Sequence, residues 1–364
     1  METGETRQLR SYIALGAPAT RHPCDGTEAP LRVEYGFTPR WYHRRLGIDF
    51  SARWHLDPVY RHETLLRMRR ELDHAFPGIV TGSGPSPLTA GLDGVHGALL
   101  MAMAFGMEPE YYPDNWPATR HTYLMPEAIG RLEPPELSGT PVFVQLFEQM
   151  EMIERLFGRI TGYLNWQGVL NTAYRLRGPE ILADMLLNPG LAQHLFHVIA
   201  DTMIAGMRFV YKRQEQAGVI VRHATASNCL VNMVSPELYR EQLLPWDRYI
   251  AAVFPAFGIH NCAWNVNPYI EDYATIKPLG YIDMGLLSDL VRVKRLCPEA
   301  RRAVMYTPTD LANKNPEELR VDIRRIYREL APCDIVMADI DAEVPDERVL
   351  EFDKIVRDTL EDAE

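Results

Sequence analysis

The sequence has few cysteines, no excess of basic residues and no long apolar run. Its five cysteines are an odd number spread over 364 residues, so we expect no disulfide framework and favour a reducing compartment. Lysine and arginine number 38 against 49 acidic residues, a net charge of −11. This acidic balance argues against a nucleic-acid-binding surface, which needs clustered basic side chains, and against an anionic membrane surface as partner.

Signals for export, membrane insertion and nucleotide binding are also missing. The start, METGETRQLR, is polar and lacks the apolar region of a signal peptide. No stretch approaches the roughly 18 apolar residues that a membrane span needs. The Gly-x-Gly stretch at residues 82–84 lacks the Gly-Lys-Ser/Thr ending of a phosphate-binding loop. We therefore expect a soluble, cytoplasmic protein without a membrane partner.

From about residue 140 onward, short strand patterns alternate with helical ones. The predicted strands are 160–164, 219–221, 258–262, 281–283, 303–306 and 334–340, and the predicted helices are 142–156, 189–215, 236–254, 269–276, 287–296 and 316–330. This alternation is typical of βαβ units with a parallel sheet. At least five such units without a nucleotide-binding glycine fingerprint favour an α/β fold of the (β/α)₈ TIM-barrel type.

The first 140 residues look irregular, apart from a helix predicted at 62–76. We interpret residues 1–140 as an N-terminal extension with lid elements that pack on the barrel. Residues 141–364 then form the main part of the barrel, and both regions belong to one domain.

Polar or sulfur-bearing residues follow most of the predicted strands. In such a barrel, chemistry is carried at the carboxyl ends of the strands. Asn165, Gln167, Asp283 and Tyr306 are the candidates for catalytic roles. Trp166, Asn228 and Trp264 are the candidates for contact with a cofactor, although Trp166 could equally be a packed residue in a capped turn. Two further side chains, Arg175 and Arg177, could meet anionic groups, but a solvated or salt-bridged role is more common for such arginines.

The sharpest local signal is GIHNCAWN at 258–265. Residues i and i+2 of a strand point to the same side, so His260 and Cys262 present an imidazole and a thiol together. Both are good zinc ligands, and a third ligand from another strand end would leave the fourth position open for substrate. An open zinc site can bind a thiol and deprotonate it at neutral pH. The alternative is a half-buried histidine beside a small buried cysteine.

The sequence leaves the third ligand open. Cys229 lies on the correct face, and so do Asp339 and Asp341, whose carboxylates are acceptable zinc ligands. Cys333 precedes the strand at 334–340, so we expect it at the opposite end of the barrel.

Three stretches resemble the uroporphyrinogen decarboxylase superfamily, which includes the decarboxylase and the zinc-dependent methyltransferases that act between corrinoids and thiols. They are residues 158–202, SPELYREQLLPW at 235–246, and HNCAWN at 260–265, which is similar to the family's H-x-C-G. The resemblance covers about residues 140–350 and implies a (β/α)₈ barrel. The decarboxylase's N-terminal arginine motif is not found. The glycine after H-x-C is Ala263 here, and no cysteine stands near Asp341, where the methyltransferases have one.

The resemblance implies a methyltransferase that holds zinc and moves a methyl group between a corrinoid (a cobalamin, free or on a partner protein) and a small thiol or related nucleophile. A homodimer is compatible with such a barrel. One alternative is a metal-free decarboxylase of a tetrapyrrole such as uroporphyrinogen, or of an aromatic acid, with Asp283 or Asp341 as the key carboxylate. A second is a non-catalytic, corrinoid-binding accessory protein.

Overall fold

Seven parallel strands form one sheet in the structure, a computed structural model that describes residues 7–9, 24, 26, 28–79, 91–120 and 122–363. The Gly-x-Gly stretch at 82–84 lies outside these residues. The order across the sheet is β1-β2-β9-β8-β7-β6-β5, and a separate antiparallel pair is formed by β3 and β4. The strands are β1 (Arg7–Leu9), β2 (Leu31–Phe37), β3 (Pro109–Glu110), β4 (Ala118–Thr119), β5 (His223–Ser227), β6 (Ala256–His260), β7 (Leu279–Gly285), β8 (Arg301–Met305) and β9 (Cys333–Ile340).

Helices connect and cover these strands. They are α1 (Pro39–Leu46), α2 (Ala52–Leu56), α3 (Pro58–Ala75), α4 (Leu100–Ala104), α5 (Pro126–Ile129), α6 (Pro141–Phe157), α7 (Val169–Arg177), α8 (Glu180–Leu187), α9 (Pro189–Gln216), α10 (Pro236–Leu238), α11 (Leu244–Ala251), α12 (Ile270–Tyr273), α13 (Leu290–Leu296), α14 (Pro308–Asn313), α15 (Pro316–Leu330) and α16 (Asp346–Glu361). Among the described residues, none of these helices has both the length and the hydropathy of a membrane span.

The sheet is covered on both sides, as parallel sheets generally are. All seven residues of β7 are buried, for example. Beyond β5 the wall continues through a bridge between Gln167 and Ser227, and the amide of Leu92 donates to the carbonyl of Thr161. The mixed α/β class with a parallel sheet is thus confirmed. Within the described residues, however, no strand pairing joins β1 to the far edge, so closure into a barrel is not shown.

Helix α15 illustrates how the local sequence sets these elements. Asn315 caps the helix and forms a capping box with Glu318, and a proline occupies the first turn. A capping box satisfies backbone donors that the helix itself cannot. Leu319, Ile323 and Ile326 then fall on one buried face, and burial of each such side chain contributes about 1.5–3 kcal/mol.

The differences from the predicted elements have physical causes. The strand predicted at 219–221 instead forms as β5, whose sequence HATAS is small and weakly apolar. Strands β5 and β6 approach closely here, and glycine is needed at position 258 because a Cβ there would come within 2.5 Å of Thr225 Oγ1 on β5. The run at 160–164 is extended but is not a regular strand, and the strand β2 was not predicted.

A buried ion-pair network lies at the amino-terminal end of the sheet. The fully buried carboxylate of Asp334 accepts two hydrogen bonds from Arg301, at 2.9 and 2.8 Å, and one from Arg32, at 3.1 Å. Cys333 and Cys297 are buried at this same end. Burial raises the pKa of Cys333 and lifts that of Cys297 to about 11.

Candidate metal centre and adjoining cavity

Two cysteines and one histidine meet at the carboxyl ends of β5 and β6. The ligand atoms of Cys229, His260 and Cys262 all lie within 4.8 Å of one another, in an arrangement able to hold a metal ion. The two sulfur atoms are 2.8 Å apart, and Cys262 Sγ lies 3.2 Å from His260 Nε2. Both cysteines are free thiols and only partly buried. The structure therefore selects Cys229 as the third member of the group, the position that the sequence left open.

The turn after β6 brings Cys262 to this point. Cys262 adopts a left-handed backbone conformation with φ of 58°, which bends the chain back over the sheet immediately after His260. The turn then crosses the end of β7 so closely that a side chain on Gly285 would collide with the carbonyl oxygen of Ala263, at 1.9 Å. Glycine at position 285 is thus required for the turn that carries Cys262.

A buried carboxylate fixes the orientation of the His260 ring. Asp283 is fully buried on β7, and its Oδ2 lies 2.6 Å from His260 Nδ1. The same carboxylate accepts from the Asn261 amide at 2.6 Å and from the Tyr281 hydroxyl at 3.1 Å. A carboxylate on one imidazole nitrogen leaves the other nitrogen as the ligand, and this is the usual support of metal-bound histidines.

The loop that carries Cys229 is supported from two sides. On one side, the Asn228 amide group donates to Asp247 Oδ2 at 2.8 Å, and Asp247 also accepts from the Tyr239 hydroxyl at 2.7 Å. Burial raises the pKa of Asp247 to about 6, against the opposing effect of these two hydrogen bonds. Tyr239 belongs to a π-helical turn at Tyr239–Leu243, in the SPELYREQLLPW stretch.

On the other side, a chain of amide groups reaches the same loop. Gln167 donates to Asn165 Oδ1 at 2.9 Å, and Asn171 donates to Gln167 Oε1 at 3.0 Å. Asn171 Oδ1 in turn accepts from the backbone amide of Leu230 at 3.0 Å. Ser227 closes the chain by donating to Asn165 Oδ1 at 3.0 Å. The loop is therefore held in place before any ligand binds.

The charges of the three groups depend on one another. The hydrogen bond from Cys262 holds the pKa of Cys229 well below its usual range, against the effect of burial and with the help of His260. Donating that bond raises the pKa of Cys262, and burial adds to this. Burial works to lower the pKa of His260, but Asp283 and the two sulfurs outweigh it and raise that pKa well above its ordinary value. The pair of thiols thus releases its first proton readily and its second reluctantly.

A cavity of about 550 Å³ opens directly above the three groups. Its walls come from the carboxyl ends of the sheet and from α7. The lining residues include Asn165, Gln167, Asn171, Arg175, Cys229, His260, Cys262, Tyr306, Thr307 and Asp339. Its volume is within the range of about 300–1,000 Å³ that is common for small-molecule sites.

Several predicted site residues line this cavity, but others do not. Asn165 and Gln167 do, as part of the amide chain, and so does Tyr306, whose hydroxyl donates to Asp322 at 2.6 Å. Asp283 lies beneath the cavity, against His260. Asp341 stands outside the group of metal-ligating side chains, and its carboxylate faces Arg40 at 3.7 Å.

The three residues predicted to contact a cofactor, Trp166, Asn228 and Trp264, are not among the residues that line this cavity. Trp166 is a core residue whose ring packs against Gly206 on α9. Trp264 packs edge-on against Tyr269, with ring centroids 5.4 Å apart. Asn228 is buried and bonded to Asp247. All three follow strand ends in the sequence, but their side chains pack against or bond to Gly206, Tyr269 and Asp247.

Sequence reasoning missed Asp247, Tyr239 and Asn261, which position the ligand residues without lining the cavity. Only Asp247 carried a signal, as a carboxylate on the otherwise apolar buried face of α11. The contacts of the other two depend on packing between distant segments.

No family model matches the chain, and no curated protein matches it by sequence. Solved structures similar to it include a methyltransferase from Methanosarcina mazei, with a TM-score of 0.65 and 14% identity, covering 96% of this chain and 99% of that one. Another is a putative vitamin-B12-independent methionine synthase from Listeria monocytogenes, with a TM-score of 0.33 and 12% identity, covering 54% of this chain and 62% of that one. The first likeness supports the fold across nearly the whole chain.

Proposed function

We propose that this chain is a cytoplasmic alkyl-transfer enzyme with a barrel of the uroporphyrinogen decarboxylase type, which transfers a methyl group from a methylated corrinoid to a small thiol. Zinc would be held by Cys229, His260 and Cys262. Cys229, and not Asp341, would be the third ligand. The corrinoid would be free or carried by a partner protein above the cavity. The observation that carries the proposal is the meeting of two thiols and one oriented imidazole at the floor of an open cavity.

The donor set fits zinc. Two cysteine sulfurs and one histidine nitrogen are typical ligands of catalytic zinc sites, which keep one position open for substrate. When bound, zinc would supply a Lewis acid that favours the thiolate form of the acceptor. The name of the Methanosarcina neighbour is compatible with this chemistry.

The chain's own residues prepare the site. Asp283 keeps Nε2 of His260 directed to the two sulfurs. The amide chain from Asn165 to Asn171 fixes the Cys229 loop and leaves amide groups at the cavity wall for the acceptor. In the transfer, the sulfur–carbon bond forms as the carbon–cobalt bond breaks, the electron pair stays on cobalt, and the thiol proton passes to solvent.

The metal-free decarboxylase receives less support. Its key carboxylate would be Asp283 or Asp341. The first is fully buried and bonded to His260, and the second faces Arg40 outside the cavity. No observation favours this alternative over alkyl transfer.

The test combines metal content with turnover. We expect the purified protein to hold about one zinc ion per chain, and Cys262→Ser or Cys229→Ser to hold almost none. Elemental analysis measures the metal, and the cobalamin absorbance during incubation of methylcobalamin with a small thiol measures transfer. Zinc content and methyl transfer should be lost together in the two variants.

Cys333→Ala is the matched control, because it removes a cysteine from the opposite end of the sheet. It should keep zinc and transfer. Full zinc content and full transfer in Cys262→Ser would overturn the proposal. Binding of a corrinoid by a zinc-loaded wild type that transfers no methyl group to any thiol would instead favour the accessory protein.

A further inference from the structure

Two charged side chains line the cavity without forming a salt bridge to a described residue. Arg175, in the last turn of α7, makes no hydrogen bond or ion pair with another described residue. Its neighbour Arg177 differs, because it donates to Asp184 at 2.8 Å and to the Leu124 carbonyl at 3.2 Å. Asp339 accepts one hydrogen bond, from Trp116 Nε1 at 3.3 Å. It forms no salt bridge with a described residue, and the charge of His260 acts on it only through space.

These two charges stand on different walls. Asp339 lies at the carboxyl end of β9, whereas Arg175 follows the segment that is bridged to β5. Strands β8, β7, β6 and β5 lie between them along the sheet. The metal-centre group lies at the ends of β5 and β6, and it consists of Cys229, His260 and Cys262. The cavity therefore offers a positive wall, a negative wall and a reactive centre.

The backbone at Asp339 is held in an uncommon conformation. Its φ is 62°, in the left-handed region that non-glycine residues seldom adopt and that aspartate and asparagine tolerate best. Its side chain is exposed and lines the cavity, with one hydrogen bond from Trp116. Uncommon backbone conformations persist where the surrounding structure fixes them, often at ligand-binding sites.

We propose that the cavity selects a small ligand carrying both an anionic and a cationic group, such as an amino-acid-like zwitterion. Its anionic group binds Arg175 and its ammonium group binds Asp339. If this ligand is the methyl acceptor, it is a thiol whose sulfur lies at the metal centre. This last assignment rests on the proposed function. A ligand with one charge would leave the other wall unpaired, and an unpaired polar group in a binding site discriminates strongly.

The test compares four probes of one carbon skeleton: 4-aminobutyrate, butyrate, butylamine and 1-butanol, with glycine and 5-aminovalerate to vary the spacing of the charges. Binding to the full chain, as isolated and again after chelation, is measured by calorimetry at low salt and pH 7. We expect at least one zwitterion to bind about tenfold or more tightly than the singly charged probes, because each of these lacks one of the two charge-assisted hydrogen bonds.

Two variants test the contributions of Arg175 and Asp339 separately. Arg175→Gln should weaken carboxylate-bearing probes about tenfold or more and leave butylamine unchanged. Asp339→Asn should weaken the amines and leave butyrate unchanged. Asparagine keeps an acceptor for Trp116 and tolerates the positive φ, so the fold should be preserved. Arg175→Lys should restore part of the carboxylate binding.

Arg177→Gln is the control. It breaks the ion pair with Asp184 and should lower thermal stability. The ranking of the probes by affinity should stay unchanged. Equal binding of all four probes, or variants that weaken every probe alike, would overturn the proposal. The probes contain no sulfur and the measurement includes chelated protein, so its outcome is independent of whether zinc or methyl transfer is found.

Discussion

The two ends of the parallel sheet use the same residue types in opposite ways. At the amino end, Asp334 is bonded to Arg301 and Arg32, and Cys333 is buried with a raised pKa. At the carboxyl end, Cys229 and Cys262 border an open cavity beside His260.

The difference shows that surroundings, and not residue type, decide what a thiol or a charge can do. At the amino end the charges are paired within the protein and contribute to stability. At the carboxyl end Arg175 and Asp339 form no salt bridge with a described residue and remain available to a ligand. In parallel α/β sheets generally, ligands bind beyond the carboxyl ends of the strands.

The largest effect should be in thiol reactivity. In the chelated protein, iodoacetamide should modify Cys229 at least about a thousandfold faster than Cys333, because a core thiol reacts only through openings that cost several kcal/mol. Peptide mapping by mass spectrometry follows both sites in one sample. Comparable rates at the two cysteines would contradict the contrast between the two ends, and added zinc should protect only Cys229 and Cys262.

Removing the charge of Asp334 or of Asp283 should affect different properties, although both carboxylates are buried. Asp334→Asn removes one partner of a buried ion pair and should lower the free energy of unfolding by about 3–5 kcal/mol, as measured by urea denaturation. Asp283→Asn should instead weaken zinc binding about 10–100-fold, because it disturbs the orientation of His260. Each variant is the control for the other. If Asp334→Asn weakened zinc binding as much as Asp283→Asn, the proposed division of roles would be wrong.

The smallest effect concerns a buried polar cluster close to the cavity. His96 is fully buried and contacts the Tyr111 hydroxyl at 3.0 Å and Gln145 Oε1 at 3.1 Å. Burial lowers the pKa of His96 to about 4, below the value of about 6.5 in an unfolded chain. Between these values the unfolded state binds more protons, so stability present at pH 7 is lost as the pH falls. The loss from His96 between pH 7 and pH 5 should be about 2 kcal/mol.

Asparagine is the replacement that the backbone allows, because His96 has a φ of 57° and asparagine tolerates this region. Denaturant titrations at pH 7 and pH 5 should show a flatter pH dependence for His96→Asn than for the wild type. Identical pH dependence in both proteins would mean that His96 does not stay neutral in the fold.

Periodicity predicted the long elements well and the special ones poorly. Helix α15 has the predicted bounds, and α9 differs from its prediction by one residue, because each has a strong apolar face or a clear cap. Strand β2 was missed because LRVEYGF mixes charged and aromatic residues within a region that otherwise looks irregular. Its partner β9 lies about 300 residues further along the chain, and that pairing leaves no local signal.

The sequence by itself determined the alternation of strands and helices, and it marked His260 and Cys262 as candidate ligands. Their meeting is due to the left-handed turn at Cys262 beyond the end of β6, and not to two positions of one extended strand. Only the tertiary structure decided that Cys229 completes the group, that Asp283 holds the histidine, and that Arg175 faces the cavity while Arg177 is bonded to Asp184. The physical reason is that backbone periodicity is local, whereas a ligand set and a charge's partner depend on which distant segments the sheet brings together.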